Sequence, residues 1–308
     1  MKEDVKPDFI LWTGDAPSHS VWDSSDHEAT DVILFFTLLI KDKFNYTIPI
    51  YPAIGNHEFY PVDLFDPFNE VKNEKTLNTT AELWKDWIGL EAYKLYIKRG
   101  YYTTKHLNSS LRIVSLNTMD CDVLNFNIIK NPTDPNGQFK WLESVLRQAE
   151  KDNEIVYLIG HIPPGDSTYT SECSKRYNAL IDRFSYIIRG QFYGHTHLDE
   201  FRTVHEYFNY TNVVGIINIA PSLTTYSEKS PQFRVYNVDE YSKIVLDYDQ
   251  YFMNITKANL KPNETPTWEI LYNAKKSFKI NNMTDYSRFI NITQELIVFI
   301  CLIRIKLI

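Results

Sequence analysis

Residues 155–161 read IVYLIGH, an apolar strand-like run that ends in glycine and then at once in a histidine, His161. A strand that is buried on both faces is apolar along its length, and glycine permits the sharp turn that follows it. Open α/β sheets bind their ligands beyond the carboxyl ends of the strands. The segment therefore predicts a buried strand that delivers an imidazole to a ligand site.

The same pattern recurs three more times, each time with metal-ligand residues after the glycine. Mixed nitrogen and oxygen ligands suit zinc, manganese or iron rather than calcium. One such motif alone also fits an ordinary structural residue, whereas the recurrence favours a dinuclear centre bridged by the carboxylate of Asp15. The other segments are FILWTGD at 9–15, IYPAIGNHE at 50–58 and QFYGHTH at 191–197.

The ordered set GD, GNHE, GH and GHTH resembles the calcineurin-like metallophosphoesterases. The text between the motifs resembles one branch of that family, the acid sphingomyelinases, from about Asp8 to about Lys276. The resemblance implies an α/β fold in which two packed mixed β-sheets are flanked by helices (αββα). The segments that carry it are WTGDAPSHSVW at 12–22, TDPNGQFKWL at 133–142, IGHIPPG at 159–165, FYGHTHLDEF at 192–201, APSLTTY at 220–226 and FRVYNVD at 233–239.

The resemblance implies two zinc ions in one catalytic site. Asp15 would bridge them, and Asn56, His161 and His195 would complete the shell of one ion, while His197 would bind the other. Members of the family also carry an Asp-x-His on an earlier strand, which this sequence lacks. Catalytic zinc usually keeps three protein ligands. We therefore expect either a piece of a longer product, which we favour, or an inactive binding relative.

The resemblance also implies catalytic and substrate-binding roles. His57 would be the general acid that protonates the leaving alcohol, and a histidine suits that task in a mildly acidic compartment. His19 would contact the substrate phosphate, and Tyr226 would line the pocket near the head group. The implied reaction is hydrolysis of sphingomyelin, a membrane lipid, to ceramide and phosphocholine. A phosphodiesterase of nucleotides or other soluble phosphoesters is the alternative enzyme.

The expected catalytic domain spans residues 1–280, and residues 281–308 are expected to be a truncated or atypical C-terminal tail. The apolar run of the tail is too short to span a bilayer and is interrupted by Arg304 and Lys306, so no stable transmembrane anchor is expected. With 308 residues, 44% hydrophobic and 23% charged, the chain has the composition of a globular protein. Its net charge of −7 argues against a nucleic-acid partner.

Cysteines and glycosylation sequons favour a secretory route. The resemblance pairs Cys121 with Cys173 in a disulfide, with free structural thiols as the alternative, and leaves Cys301 over. The chain starts without an apolar signal segment. The number of sequons nevertheless predicts a secreted or lysosomal glycoprotein. They lie at Asn45, Asn78, Asn108, Asn209, Asn254, Asn263, Asn282 and Asn291.

The periodicity of apolar residues predicts helices that alternate with strands early in the chain, and strands that crowd together late. A long loop is expected at 60–78, beside GNHE. Helices are expected at 28–44, 80–90, 135–151, 174–189 and 267–278. Strands are expected at 9–13, 48–53, 100–104, 111–117, 155–159, 190–193, 213–220, 233–239, 243–248 and 251–256.

Overall fold

The structure is a computed structural model, and it describes residues 5–44, 47–107 and 109–285. The strands in these ranges are β1 (Ile10–Trp12), β2 (Ile50–Pro52), β3 (Tyr102–Lys105), β4 (Leu111–Ser115), β5 (Ile155–Ile159), β6 (Ile188–Tyr193), β7 (Glu200–His205), β8 (Val213–Ile219), β9 (Gln232–Val238), β10 (Val245–Met253) and β11 (Trp268–Asn273). The helices are α1 (Asp26–Lys43), α2 (Glu70–Ile88), α3 (Leu90–Arg99), α4 (Gln138–Lys151), α5 (Ser171–Phe184), α6 (Ile255–Asn259) and α7 (Ala274–Phe278).

A six-stranded sheet in the order β3-β4-β5-β6-β8-β7 forms the centre of the fold. Its four middle strands are parallel, and the two edge strands run antiparallel to their neighbours. Side chains alternate between the two faces along each strand, and both faces of the sheet are buried. In β5, Val156 and Leu158 pack toward α2 to α5, whereas Tyr157 and Ile159 enter a second core on the opposite face. This burial on both faces explains the continuous apolar run at 155–159.

Two smaller sheets pack on that opposite face. One pairs β1 with β2 in parallel, and the other is the antiparallel sheet β11-β10-β9. The second core joins them to the large sheet through Tyr51 of β2, Ile113 of β4 and Tyr248 of β10. The expectation of packed mixed sheets with flanking helices is confirmed.

Three local expectations were wrong, and three elements were not expected. Residues 267–278 form strand β11 and the short helix α7 instead of one helix, because β11 completes a sheet by pairing with β10. The expected loop at 60–78 gives way to α2 at Glu70, and β10 is one bulged strand where two were expected. Helices α3 and α6 and strand β7 were not expected. Gly89, with a φ of 85°, separates α2 from α3.

Cys121 and Cys173 are joined by a disulfide. It connects the 3-10 turn Thr118–Cys121, which follows β4, to the first turn of α5. We expect replacement of both cysteines with alanine to lower the free energy of unfolding by about 4 kcal/mol, because the bridge closes a long loop in the unfolded chain. Urea denaturation of the oxidised wild type and the double variant measures this difference. Equal unfolding midpoints would show that the bridge does not stabilise the fold.

The sequons are spread over the surface of the described chain. Asn209 and Asn263 are exposed, and Asn78, Asn254 and Asn282 are half-buried. The remaining sequons, Cys301 and most of the expected tail lie outside the described residues, so the division at residue 280 stays a prediction. Among the helices that are described, none is both long and apolar enough to cross a bilayer.

Candidate metal centre

The carboxyl ends of two pairs of parallel strands bring the motif residues together. Asp15 follows β1, Asn56 follows β2, His161 follows β5 and His195 follows β6. Asp15 and His195 have left-handed backbone conformations, with φ of 61° and 69°. Such conformations cost energy for residues with a Cβ and often occur at functional sites. A Cβ at Gly55 would lie 2.2 Å from Asp15 Oδ1, so only glycine allows the two loops to approach this closely.

The donor atoms of these side chains converge on one point. His161 Nε2 lies 2.9 Å from Asp15 Oδ2, and His195 Nδ1 lies 3.2 Å from His161 Nε2 and 3.3 Å from Asn56 Oδ1. Ligands of one tetrahedral zinc, with bonds of about 2.0–2.1 Å, are separated by about 3.4 Å. Two imidazoles, one carboxylate and one amide therefore fit a divalent metal. Among the described residues, Asp15, His161 and His195 are the cluster that matches a metal site.

The hydrogen bonds and charges prepare His161 for metal binding. Its Nδ1 lies 2.6 Å from the carbonyl oxygen of Thr13, which can only accept, so Nδ1 carries the proton and Nε2 offers its lone pair to the centre. Burial lowers the pKa of His161, but the Asp15 carboxylate, the Thr13 carbonyl and the Glu58 carboxylate together raise it above its usual value. Burial by itself would raise the pKa of Asp15, yet His161 and His57 hold it below its usual range. Burial, together with His161, lowers the pKa of His195 to about 4, which keeps that ring neutral in mild acid.

Glu58 fixes the two loops that carry Asp15 and Asn56. Its buried carboxylate accepts the backbone N–H groups of Gly55 at 2.6 Å, Ala16 at 2.7 Å and Asp15 at 3.0 Å. Burial and the nearby Asp15 carboxylate raise the pKa of Glu58, against the effect of these donors. No role was expected for Glu58 from the sequence. An acidic residue directly after GNH, in an otherwise apolar region, was the available signal.

The expected catalytic and substrate residues lie beside the cluster. The ring of His19 stacks on Tyr226 with centroids 4.0 Å apart, and lies 4.2 Å from His57 and 4.8 Å from His197. His57 Nδ1 is 3.0 Å from the carbonyl oxygen of Ser18, which leaves Nε2 available to a ligand. Burial and the neighbouring His57 lower the pKa of His19 to about 4.

His197 is the expected metal ligand that stands apart. In the part of the chain that the structure describes, it contacts His19 and Tyr226 rather than the cluster of Asp15, His161 and His195. Burial lowers its pKa, which favours the neutral form that a metal would need.

An ion pair with a buried arginine holds the loop that follows β6. Asp199 at the end of this loop pairs with Arg234 of β9 and accepts the hydroxyl of Tyr272 of β11 at 2.6 Å. The Arg234 guanidinium also lies over the ring of Tyr248, 4.6 Å from its centroid. The three-stranded sheet thereby positions the loop that carries His195 and His197.

Two further carboxyl groups lie near the centre. Asp63 accepts the Asn56 amide N–H at 2.9 Å, which turns the Asn56 oxygen toward His195. Asp122 accepts the N–H of Leu124 with one oxygen, while its other oxygen is buried and has no partner among the described residues. Burial, with a contribution from Asp63, raises the pKa of Asp122 to about 7.

The raised pKa of Asp122 predicts a pH-dependent effect of its replacement. The unfolded chain releases this proton near pH 4, whereas the folded chain keeps it up to about pH 7, so the carboxylate destabilises the fold increasingly across that range. We expect Asp122→Asn to raise the free energy of unfolding by about 2 kcal/mol at pH 8 and by little at pH 4. Urea denaturation in the presence of a chelator, at both values, measures it. A gain of the same size at both would contradict the assignment.

Known phosphoesterases resemble this chain in sequence. The sequence model of the calcineurin-like phosphoesterases matches residues 1–199. The sphingomyelin phosphodiesterase of Bos taurus is 37% identical over 282 residues, which is 89% of this chain and 44% of that protein. The sphingomyelin phosphodiesterase of Homo sapiens is 36% identical over 282 residues, with the same coverage. The chain thus spans less than half the length of these relatives.

Two other matches bear on specificity and fold. The cyclic GMP-AMP phosphodiesterase SMPDL3A of Bos taurus is 34% identical over 299 residues, which is 92% of this chain and 64% of that protein. A dimetal phosphatase from Danio rerio has a similar structure, with a TM-score of 0.50, 14% sequence identity and coverage of 80% of each chain. At that identity the structural likeness supports the fold alone.

Proposed function

The chain belongs to the calcineurin-like phosphoesterase family, and from that membership we propose that it is a metal-dependent phosphodiesterase that hydrolyses sphingomyelin to ceramide and phosphocholine. The observation that carries the proposal is the convergence of Asp15, Asn56, His161 and His195, with donor atoms 2.9–3.3 Å apart, beside His57 and His19. The similarity to sphingomyelin phosphodiesterases supports the choice of substrate.

The proposed reaction divides the work between metal ligands and proton donors. Asp15 would bridge two zinc ions, one of them held also by Asn56, His161 and His195, and the other by His197. Such ions polarise a phosphoryl group and supply hydroxide near neutral pH. These metal roles rest on the family and on the donor set.

The neighbouring histidines would donate the proton and bind the phosphate. His57 would donate a proton from Nε2 to the departing ceramide oxygen, since its Nδ1 is held by Ser18. His19 would hydrogen-bond the phosphate, and Tyr226, stacked on it, would line the head-group side. These roles support cleavage of a diester whose leaving group is a poor one.

A nucleotide phosphodiesterase is the second candidate. It is favoured by the similarity to the cyclic GMP-AMP phosphodiesterase SMPDL3A. The matched region makes up 64% of that relative, compared with 44% of the sphingomyelin phosphodiesterase of Bos taurus. The proposed metal centre would serve both reactions, because each cleaves a phosphodiester at phosphorus. The two candidates differ in the substrate groups that the residues around the metal centre must accept.

One paired assay tests both candidates. The zinc-loaded chain is given sphingomyelin in detergent micelles and, separately, cyclic GMP-AMP, and release of phosphocholine or nucleotide is followed, with His161→Ala as the inactive control. Faster turnover of sphingomyelin supports the first proposal, and faster turnover of the dinucleotide supports the second. Stoichiometric zinc binding without turnover of either would instead indicate a non-catalytic binding relative.

We also propose that the protein is a secreted or lysosomal glycoprotein. The exposed sequons at Asn209 and Asn263, and the disulfide between Cys121 and Cys173, suit an oxidising secretory compartment. Treatment of the protein from its native source with an endoglycosidase should increase its electrophoretic mobility. Unchanged mobility would contradict the glycosylation proposal.

A further inference from the structure

The second ring nitrogen of His195 has a specific partner. His195 Nδ1 faces the candidate metal centre, and its Nε2 lies 3.2 Å from the hydroxyl oxygen of Thr168. Thr168 lies after IPPG in the connection between β5 and α5, the connection that begins with the cluster residue His161, and its own side chain is not part of the cluster. The contact therefore brings the later part of this connection to His195, which the end of β6 already positions.

Thr168 is itself held by an ion pair. Its hydroxyl lies 2.9 Å from Asp166 Oδ1, which also accepts the backbone N–H of Thr168 at 3.0 Å. The other oxygen of Asp166 pairs with Arg202 of β7 at 2.8 Å, and Arg202 donates as well to the carbonyl oxygen of Pro164 at 3.3 Å. A carboxylate that is paired with a guanidinium is ionised and can only accept hydrogen bonds.

The hydrogen bonds that run from Asp166 through Thr168 to His195 fix the tautomer of the His195 ring. The hydroxyl of Thr168 has one hydrogen, and it donates this hydrogen in a hydrogen bond to the Asp166 carboxylate. Toward His195 the hydroxyl oxygen is then an acceptor, so Nε2 must carry the proton in the neutral ring. The lone pair is left on Nδ1, the nitrogen that lies 3.2 Å from His161 Nε2. The backbone carbonyl of Thr13 does the same for His161, with the two ring nitrogens exchanged.

We propose that Thr168 and Asp166 are positioning residues that set the tautomer and orientation of His195 for metal binding. The proposal rests on the metal-dependent function proposed above, and it concerns residues to which the family resemblance gave no role. Outer-shell partners of metal-bound histidines typically change metal affinity by about 10- to 100-fold when removed. We expect a loss of that size for Thr168→Val, which keeps the shape of the side chain and removes the hydroxyl.

The experiment compares the wild-type full chain with four variants. Thr168→Val and Asp166→Asn are expected to weaken zinc binding, measured by competition with a chelator, about 10- to 100-fold. Thr168→Ser keeps the hydroxyl and is expected to bind zinc as the wild type does. Ser171→Ala is the matched control, because Ser171 is an exposed serine at the first position of α5, directly after the same connection. Equal zinc affinity in the wild type and Thr168→Val would overturn the proposal.

A second measurement separates the inference from the proposed function. Nitrogen-15 NMR of the metal-free protein reports which ring nitrogen of His195 carries the proton, with His195→Gln used to assign the signal. We expect the Nε2–H form in the wild type and a mixture of tautomers in Thr168→Val. A wild-type ring protonated on Nδ1 would refute the inference even if Thr168→Val failed to fold. A wild type that has the Nε2–H form but binds no zinc would instead refute the metal-dependent function.

Discussion

Replacement of Asp15 with asparagine is expected to abolish stoichiometric zinc binding and to slow phosphodiester hydrolysis by about a thousandfold or more, since metal assistance is worth several kcal/mol. Asp15 is the anionic member of the cluster of Asp15, His161 and His195. Asparagine has the same shape, and its oxygen can still accept the His57 backbone N–H that Asp15 accepts at 3.0 Å. The variant therefore removes the charge while leaving the loop in place.

The measurement pairs zinc content, by atomic emission, with initial rates on the substrate chosen by the paired assay. Asp23→Asn is the matched control, because Asp23 is an exposed aspartate in the same connection between β1 and α1. It should leave both quantities unchanged. Full zinc content and full activity in Asp15→Asn would show that the metal centre lies elsewhere.

Replacement of His57 with alanine is expected to slow turnover by about a hundredfold or more while leaving the zinc content nearly intact, because general acid catalysis contributes about 10²- to 10⁴-fold. Only the backbone N–H of His57 contacts Asp15 through a hydrogen bond, and alanine retains it. The ring is held by the Ser18 carbonyl and lies 4.2 Å from the ring of His19. These contacts are the basis for expecting His57 to act on the substrate rather than on the metal.

Two comparisons make this prediction specific. The loss should be much smaller with bis(p-nitrophenyl) phosphate, whose leaving group needs no proton, than with a diester of a simple alcohol. His27→Ala serves as control, because His27 is an exposed histidine on α1. Loss of zinc from His57→Ala would contradict a purely acidic role.

The strand ends could be predicted because their signal is local. Each apolar run stops at a glycine, and the next residues carry ligand chemistry, so Asp15, Asn56, His161 and His195 were identified without knowledge of how the strands pair. The tertiary contacts had no such signal. Glu58 acts through backbone groups 42 and 43 residues away, and Thr168 meets His195 across 27 residues. A single sequence contains no register between distant segments, so such contacts could not be derived from it.

The errors in secondary structure have a related cause. The segment WEILYN of β11 contains apolar residues at spacings that suit a helix as well as a strand. Pairing with β10 decides in favour of the strand, and that contact lies in the tertiary fold. Helix α3 follows α2 after the single residue Gly89, so its start was hidden by the end of its neighbour.

The ion pair between Asp199 and Arg234 indicates how long a fragment must be to fold as an autonomous unit. The segment matched by the family ends at residue 199, which would be a natural place to cut a gene for expression or for recombination with a homologue. A cut there would separate Asp199 from Arg234 and Tyr272, and would uncover the face of the large sheet that β10 covers. Gene boundaries should therefore be placed after β11, and chimaeras should exchange the GHTH loop and the three-stranded sheet together.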